Sequence, residues 1–350
     1  MRLLIVTPKY PPQFGGAAYV FSLIAEHLKE RVEVSVLSST ENGFVATEKI
    51  DGVKVMRLFP YFEKMYTKLI LLPLSFFLTF SFFLLNFRKF DVIETHTVGE
   101  LCIFSQFFSK LFRKKLIKHV IDMGTPPFLL RHPMAEKYIC CGQTIANQFR
   151  RIGINEERIE DIHLPIVKAI TNTKPENKIR RFIFIGEISK QKGVEDILAV
   201  LRNVLDDFEL IFVGTGHMQD IVQEISKSDK RVSYMGRLEH DKVIEILKTT
   251  DALIHPTYSD VLPLSILEGM MLRNAIISTD IGEIKKTVGK GGIIIRAGDR
   301  EALENALVYA IRNDITGMKE MAKANFEKYA EEDVYKRNLN VLEEVLQKNM

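Results

Sequence analysis

Glu268 is a carboxylate set among Leu264, Ile266, Leu267, Met270 and Met271, on a stretch that is otherwise apolar. An ionised group in such a place is costly to bury unless something donates hydrogen bonds to it, and a ribose diol offers two donors. Asp260 lies eight residues earlier, in the loop between a strand ending near Pro256 and a helix expected to start around Pro263. Proline suits a first helical turn, so the backbone N–H groups of Val261, Leu262 and that turn are expected to face a cleft unpaired. Lys192 sits in GEISKQKG, just ahead of another helix, where an ammonium provides a point charge for phosphate. Gly15 and Gly16 follow Pro11 and Pro12, between a first strand and a helix beginning near Ala17. Glycines there let backbone approach a ligand, and the helix N-terminus favours an anion. Each of these loops could also be an ordinary turn with solvated charges. Gly214 and Gly216 in VGTGHM are read that way, since a lone G-x-G is poor evidence for a dinucleotide.

The elements that would hold these groups alternate along the whole chain. Short runs rich in Val and Ile predict strands at Leu3 to Thr7, Val32 to Ser38, Lys54 to Phe59, Asp91 to His96, Leu116 to Asp122 and Lys137 to Cys141. A polar stretch from Lys168 to Lys178, KAITNTKPENK, has the composition of a linker, which is bounded at 169–178. A second series follows at Arg181 to Ile185, Glu209 to Val213, Val232 to Met235, Ala252 to His255, Ala275 to Thr279 and Gly292 to Ile295. Strands separated by amphipathic stretches make parallel sheets, so the chain is read as α/β, with two doubly wound domains over 1–168 and 179–330. Three closing helices end in one, over 331–350, that has no strand to follow it and is expected to cross back onto the first domain.

The 350 residues include 48 Lys+Arg against 45 Asp+Glu, a net charge of +3, which argues against a dedicated nucleic-acid binder. Residues 1–170 carry 22 basic and 16 acidic side chains, and fourteen of the 23 Phe lie between Phe59 and Phe128, so the first half is both basic and greasy. Three cysteines, Cys102, Cys140 and Cys141, suit neither a disulfide framework nor a four-ligand zinc site and point to a reducing, cytoplasmic setting. No Asp-x-Asp pair or His/Cys cluster sits at a strand end, so no metal and no cofactor are expected.

The stretch from Leu69 to Phe87, LILLPLSFFLTFSFFLLNF, is nineteen residues long and uncharged. It has the length of a membrane span, but spanning would divide one sheet between two sides of a bilayer. A helix here, with Ser75, Thr79 and Asn86 on one stripe, can lay one apolar flank on the sheet and keep another for lipid, with Lys64, Lys68, Arg88 and Lys89 at its ends. Four or five lipid-facing Phe or Leu at about 1.5–3 kcal/mol each suffice for reversible attachment. The segment FFSKLFRKKLIK, with Lys114 at its middle, adds basic charge for an anionic leaflet. The alternative is an all-apolar helix buried in the core.

With these residues in view the chain resembles the retaining, nucleotide-sugar-dependent glycosyltransferases of family 4, whose GT-B fold has two facing Rossmann-like domains. The resemblance runs from the opening strand and Gly15-Gly16 loop through ADALIHPTYSD and LEGM to AIISTDIGEI. The family's two glutamates, separated by seven residues, appear as Asp260 and Glu268. The resemblance implies that Glu268 binds the ribose hydroxyls, that Asp260 touches the donor sugar, and that the N–H groups of Val261 and Leu262 hold the diphosphate with Lys192. It also places Gly16 against the phosphates, backbone at Gly236 and Arg237 at the base, and a first-domain histidine, His119 or His96, near the reacting sugar.

The chain departs from the family pattern at Glu187, where an arginine usually follows the glycine. A carboxylate about 4 Å from a phosphate costs roughly 4 kcal/mol at an effective dielectric of 20. Either Glu187 turns away and Lys190 or Arg237 substitutes, or the donor is not an ordinary nucleotide-diphosphate sugar. Asp260 is also shorter than glutamate by one methylene, and Val261 and Pro263 stand where glycines are usual. The expected function is metal-independent retaining sugar transfer from a nucleotide sugar to a lipid or lipid-linked glycan, by a protein peripheral on the cytoplasmic face of the membrane. A scaffold that binds nucleotide sugar or a membrane partner without turnover is the alternative, and a nucleotide-sugar epimerase is a third.

Overall fold

The computed structural model describes residues 1–13, 15–40, 45–60, 65–167, 180–330 and 332–347; the linker expected over 169–178 lies outside the described residues. The chain divides into unit 1, Met1–Pro165 with Asp333–Met350, and unit 2, Ile166–Glu332. Both are α/β units, with a wholly parallel sheet in unit 2 and one parallel but for an edge strand in unit 1, the architecture of the GT-B fold.

Unit 1 runs β1 (Arg2–Val6), α1 (Gly16–Leu28), β2 (Glu33–Thr40), β3 (Ala46–Ile50), β4 (Val53–Pro60), α2 (Met65–Asn86), β5 (Val92–His96), α3 (Glu100–Leu111), β6 (Lys115–Val120), α4 (Pro127–Arg131), β7 (Lys137–Cys140), α5 (Gln143–Arg151) and β8 (Ile159–Asp161). The sheet order is β3-β4-β2-β1-β5-β6-β7-β8, parallel except where β3 joins β4. Strands buried on both faces read as continuous apolar runs, which is why LLIV and VI located β1 and β5. The sequence reading missed β3 and β8. β3 is an exposed edge with little apolar pattern, but its hairpin signal was present: Asp51 and Gly52 take φ of 48° and 83°, as a two-residue Asp-Gly turn requires.

Helix α2 settles along this sheet with its polar stripe inward. Ser75 and Thr79 are buried, their hydroxyls donating to the carbonyls of Leu71 (3.1 Å) and Ser75 (2.7 Å), so small side chains bring the helix close without leaving a polar group unpaired. Phe82 and Phe83 join the core with Leu4, Val6 and Ile93. The opposite side remains apolar and open: Ile70, Leu74, Phe77, Leu84 and Leu85 are exposed, as are Phe107 and Leu111 of α3 beside it. Phe76 of α2 meets Phe104 and Phe108 of α3 edge-on at 5.4 and 5.2 Å.

Unit 2 runs β9 (Arg180–Ile185), α6 (Val194–Leu201), β10 (Phe208–Val213), α7 (Gln219–Ser228), β11 (Val232–Tyr234), α8 (His240–Leu247), β12 (Ala252–His255), α9 (Leu264–Met271), β13 (Ala275–Thr279), α10 (Ile284–Val288), β14 (Gly292–Ile295), α11 (Arg300–Arg312) and α12 (Thr316–Tyr329). All six strands are parallel, in the order β11-β10-β9-β12-β13-β14. The last helix, α13 (Val334–Gln347), belongs to unit 1. Its Tyr335 stacks on His27 of α1 at 3.8 Å, Glu344 pairs with Lys137 at 2.7 Å, and Lys115 donates to the Val345 carbonyl at 2.6 Å.

Candidate active site

In unit 2 the turns after β9 and β12 converge on Asp260. The turn Lys190–Lys192 ends at Gly193, whose φ is 75° and where a Cβ would stand 2.1 Å from the Pro256 carbonyl oxygen; only glycine fits that contact. This close approach carries Lys192 to Asp260, and the two form an ion pair through Oδ1. The other carboxylate oxygen accepts from Thr257 Oγ1 at 2.6 Å and lies 3.1 Å from His255 Nε2. Burial alone would raise the Asp260 carboxyl, but the hydrogen bond and charge of His255 and the charge of Lys192 outweigh it, holding the group well below the usual carboxylate range. Asp260 is therefore ionised and firmly oriented.

His255 and Thr257 were not singled out from the sequence. His255 ends β12, its ring parallel to that of Phe184 at 5.5 Å, and its buried Nδ1 has no hydrogen-bond partner among the described residues. The strand end is pinned from below by Ser278 Oγ, which donates to the His255 carbonyl (2.6 Å), and by Thr279 Oγ1, which donates to that of Thr257 (2.6 Å). The presence of a histidine in HPTYSD was the available signal.

The loop after Asp260 is held from the other side. Gly282, at φ 58°, packs where a Cβ would lie 2.3 Å from the Val261 carbonyl oxygen, and Glu283 N–H donates to that oxygen at 2.8 Å. Pro263 is extended and caps α9 rather than occupying its first turn, contrary to the sequence expectation, and Ile266 and Leu267 N–H both donate back to its carbonyl. The amides of Val261, Leu262, Leu264 and Ser265 have no acceptor among the described residues. Four free N–H groups in the loop that follows the Lys192–Asp260 pair can receive an anion.

Glu268 is on α9, buried, with its Oε1 2.9 Å from Nε2 of His240, the first residue of α8. The hydrogen bond that His240 donates to Glu268, ahead of the charge of that carboxylate, raises the imidazole pKa despite partial burial. Arg237 is exposed on the loop between β11 and α8, where space beside Gly236 is open. Glu187 is exposed and accepts from Ser189 Oγ at 3.4 Å, while Lys190 pairs with Glu195 at 2.8 Å.

In unit 1, Gly16 opens α1 and is exposed, and the loop before it is fixed by buried Arg57, which donates to the carbonyls of Tyr10 (3.1 Å), Pro11 and Ser39 (3.3 Å). Nothing in the sequence singled out Arg57. His96 and His119 are neighbours in the β5–β6 register, both buried, and Phe21 of α1 packs edge-on against each. His119 Nδ1 is 2.8 Å from Glu94 Oε1. His96 Nδ1 accepts from Val98 N–H, so its proton sits on Nε2, 3.4 Å from Asp122 Oδ2. Burial pushes His96 down to about 4 against the pull of Asp122, leaving it neutral at pH 7. Among the described residues no group of three or more His, Cys, Asp or Glu could hold a metal ion.

The chain is similar to known glycosyltransferases. Residues 179–313 match the family described as "Glycosyl transferases group 1". TuaC of Bacillus subtilis, a glycosyltransferase named for teichuronic acid biosynthesis, is 24% identical over 164 residues, 47% of this chain but only 39% of its own length. The uncharacterized glycosyltransferase MJ1069 of Methanocaldococcus jannaschii is 22% identical across 90% of both chains. The structure of Anabaena Alr3699/HepE in complex with UDP-glucose superposes with a TM-score of 0.76 at 16% identity, covering 99% of each chain. Sucrose-phosphate synthase from Thermosynechococcus elongatus gives the same score at 14% identity, over 99% of this chain and 100% of that one. At such identities the likeness to these structures establishes a shared fold.

Proposed function

We propose that this GT-B chain, whose residues 179–313 match the glycosyl transferases group 1, moves a sugar from a nucleotide-diphosphate donor to an acceptor with retention of anomeric configuration, as the family 4 enzymes it resembles do. The observation that carries the reading is the set of free amides at Val261, Leu262, Leu264 and Ser265 beside Lys192, with the Glu268 carboxylate on the same helix. The diphosphate lies against these N–H groups and the ammonium. Glu268 takes the ribose hydroxyls, and Asp260, fixed by three partners, faces the sugar.

In this reading the bond between the anomeric carbon and the phosphate oxygen breaks and its electron pair stays with the diphosphate. The N–H groups and Lys192 stabilise that charge where it develops. The acceptor hydroxyl attacks from the side the diphosphate leaves and passes its proton to a departing phosphate oxygen. The positive charge this requires comes from the protein itself, so the reaction is proposed to need no metal.

The acceptor is proposed to be a lipid or lipid-linked saccharide on an anionic cytoplasmic leaflet. Supporting this are the exposed apolar face of α2 and α3 and the cations at its end. There Arg88 and Lys89 are exposed, and Lys114 and Arg88 each lie 5.6 Å from the Phe87 ring. A phosphatidyl-myo-inositol mannosyltransferase of Mycobacterium leprae is 23% identical over 140 residues.

The test is transfer and free-sugar release across UDP-, GDP- and ADP-sugars, with and without chelator, in wild type and Glu268→Ala, with the product anomer read by NMR. Donor binding without turnover supports the scaffold reading that Glu187 motivates. A product formed from the donor alone supports an epimerase.

A further inference from the structure

Glu268 lies in an apolar helix among Ile266, Leu267, Met270 and Met271, all buried, and is itself only 5% exposed. An ionised carboxylate at that depth depends on what donates to it. Among the described residues the side chain that does so is His240, through Nε2 to Oε1 at 2.9 Å. His240 is a half-buried ring fixed at the start of α8, with Lys242 and Val243 N–H bonded back to the carbonyl of the preceding Glu239. A carboxylate accepts about four hydrogen bonds, so one taken by imidazole leaves room for both hydroxyls of a diol.

The position of His240 along the chain matters as much as its bond. It lies three residues after the loop of Met235, Gly236 and Arg237, where Met235 and Arg237 are exposed and nothing lies within 4 Å of the space beside Gly236. The bond to Glu268 thus joins the ribose carboxylate to the helix that follows this open loop.

We propose that His240 is a positioning residue of the donor site: by gripping one oxygen of Glu268 it keeps the carboxylate aimed at the ribose diol, so that discrimination between ribose and deoxyribose passes through it. The inference rests on the reading of Glu268 as the ribose carboxylate. It also excludes the opposite role, in which the imidazole merely occupies the place of the diol and must leave when donor binds.

The test uses whichever of UDP, GDP and ADP the full chain binds tightest, together with its 2′-deoxy form, by calorimetry. Wild type should prefer the ribonucleotide by roughly tenfold or more, the worth of a hydrogen bond to a charged group. Glu268→Ala should abolish the preference. His240→Ala should bring it to within about threefold with its thermal midpoint close to wild type, and His240→Gln, which keeps an N–H donor, should restore part of it. A general structural role would weaken both nucleotides equally and leave their ratio alone, which would overturn the proposal. Tighter binding of both nucleotides by His240→Ala would also overturn it, by showing the ring to be a placeholder. If Glu268→Ala keeps the preference, or none of the three nucleotides binds, the donor-site reading fails and takes the inference with it. If Glu268→Ala loses the preference while His240→Ala keeps it, the inference alone fails.

Discussion

Lys192 and Asp260 are 68 residues apart in the chain and meet as an ion pair at the ends of two different turns. The pair ties the ammonium to the residue that precedes the 261–265 loop and its free amides. Lys192→Ala is expected to weaken nucleoside diphosphate binding by about 10- to 100-fold, as loss of a hydrogen bond from a charged donor does, and to leave binding of the bare nucleoside unchanged. Calorimetry with both ligands checks it; equal losses would mean that Lys192 only supports the fold.

Gly193→Ala asks whether the turn geometry itself is required. At φ 75°, with the Pro256 carbonyl 2.1 Å from the new Cβ, the backbone must move, at an expected cost of about 1–3 kcal/mol. The predicted result is a lower urea midpoint together with lost diphosphate binding. A variant as stable as wild type would contradict the packing described.

Two histidines give pH dependences of opposite sign. The fold lowers His96 from 6.5 to about 4, so its contribution is present in full above pH 6.5 and is lost as pH falls towards 4, amounting to about 3 kcal/mol at most. Urea titrations at pH 7.5 and pH 5 should show a smaller loss in His96→Asn than in wild type. His240 is raised, chiefly by the hydrogen bond it donates to Glu268 and also by the charges of Glu268 and Asp241, so its contribution is present below pH 6.5 and fades as pH rises through the raised value. An NMR titration of the His240 ring should show its pKa falling in Glu268→Gln.

The outer face of α2 predicts attachment to anionic vesicles. Phe77 is 64% exposed and Leu85 77%, so Phe77→Asp with Leu85→Asp should leave the fold intact and abolish co-sedimentation. Phe83 is 1% exposed, and a charge there should unfold unit 1 instead. Undiminished vesicle binding by the folded double variant would count against a lipid-facing α2.

Much of the architecture was legible in the residue pattern, because strands buried on both faces must be apolar throughout and the helices between them cannot be. LIFV, ALIH and AIIST announced the central strands of unit 2, and the loop carrying Asp260 and the helix carrying Glu268 could be placed from their neighbours. The edges were not legible: β3 and β8 bury little, so burial left little pattern in their sequence.

The partners of the candidate residues came only from the fold. Periodicity put Glu268 on an apolar helix, but His240 reaches it across 28 residues of chain. Lys192 looked like a free cation and is tied to Asp260, and Arg57, more than forty residues along the chain from Tyr10 and Pro11, fixes the loop before Gly16. Burial is a local preference that each residue type carries in its own chemistry, so sequence determines it. Which charge neutralises which depends on where separate turns arrive in space, and that is decided when the sheets assemble.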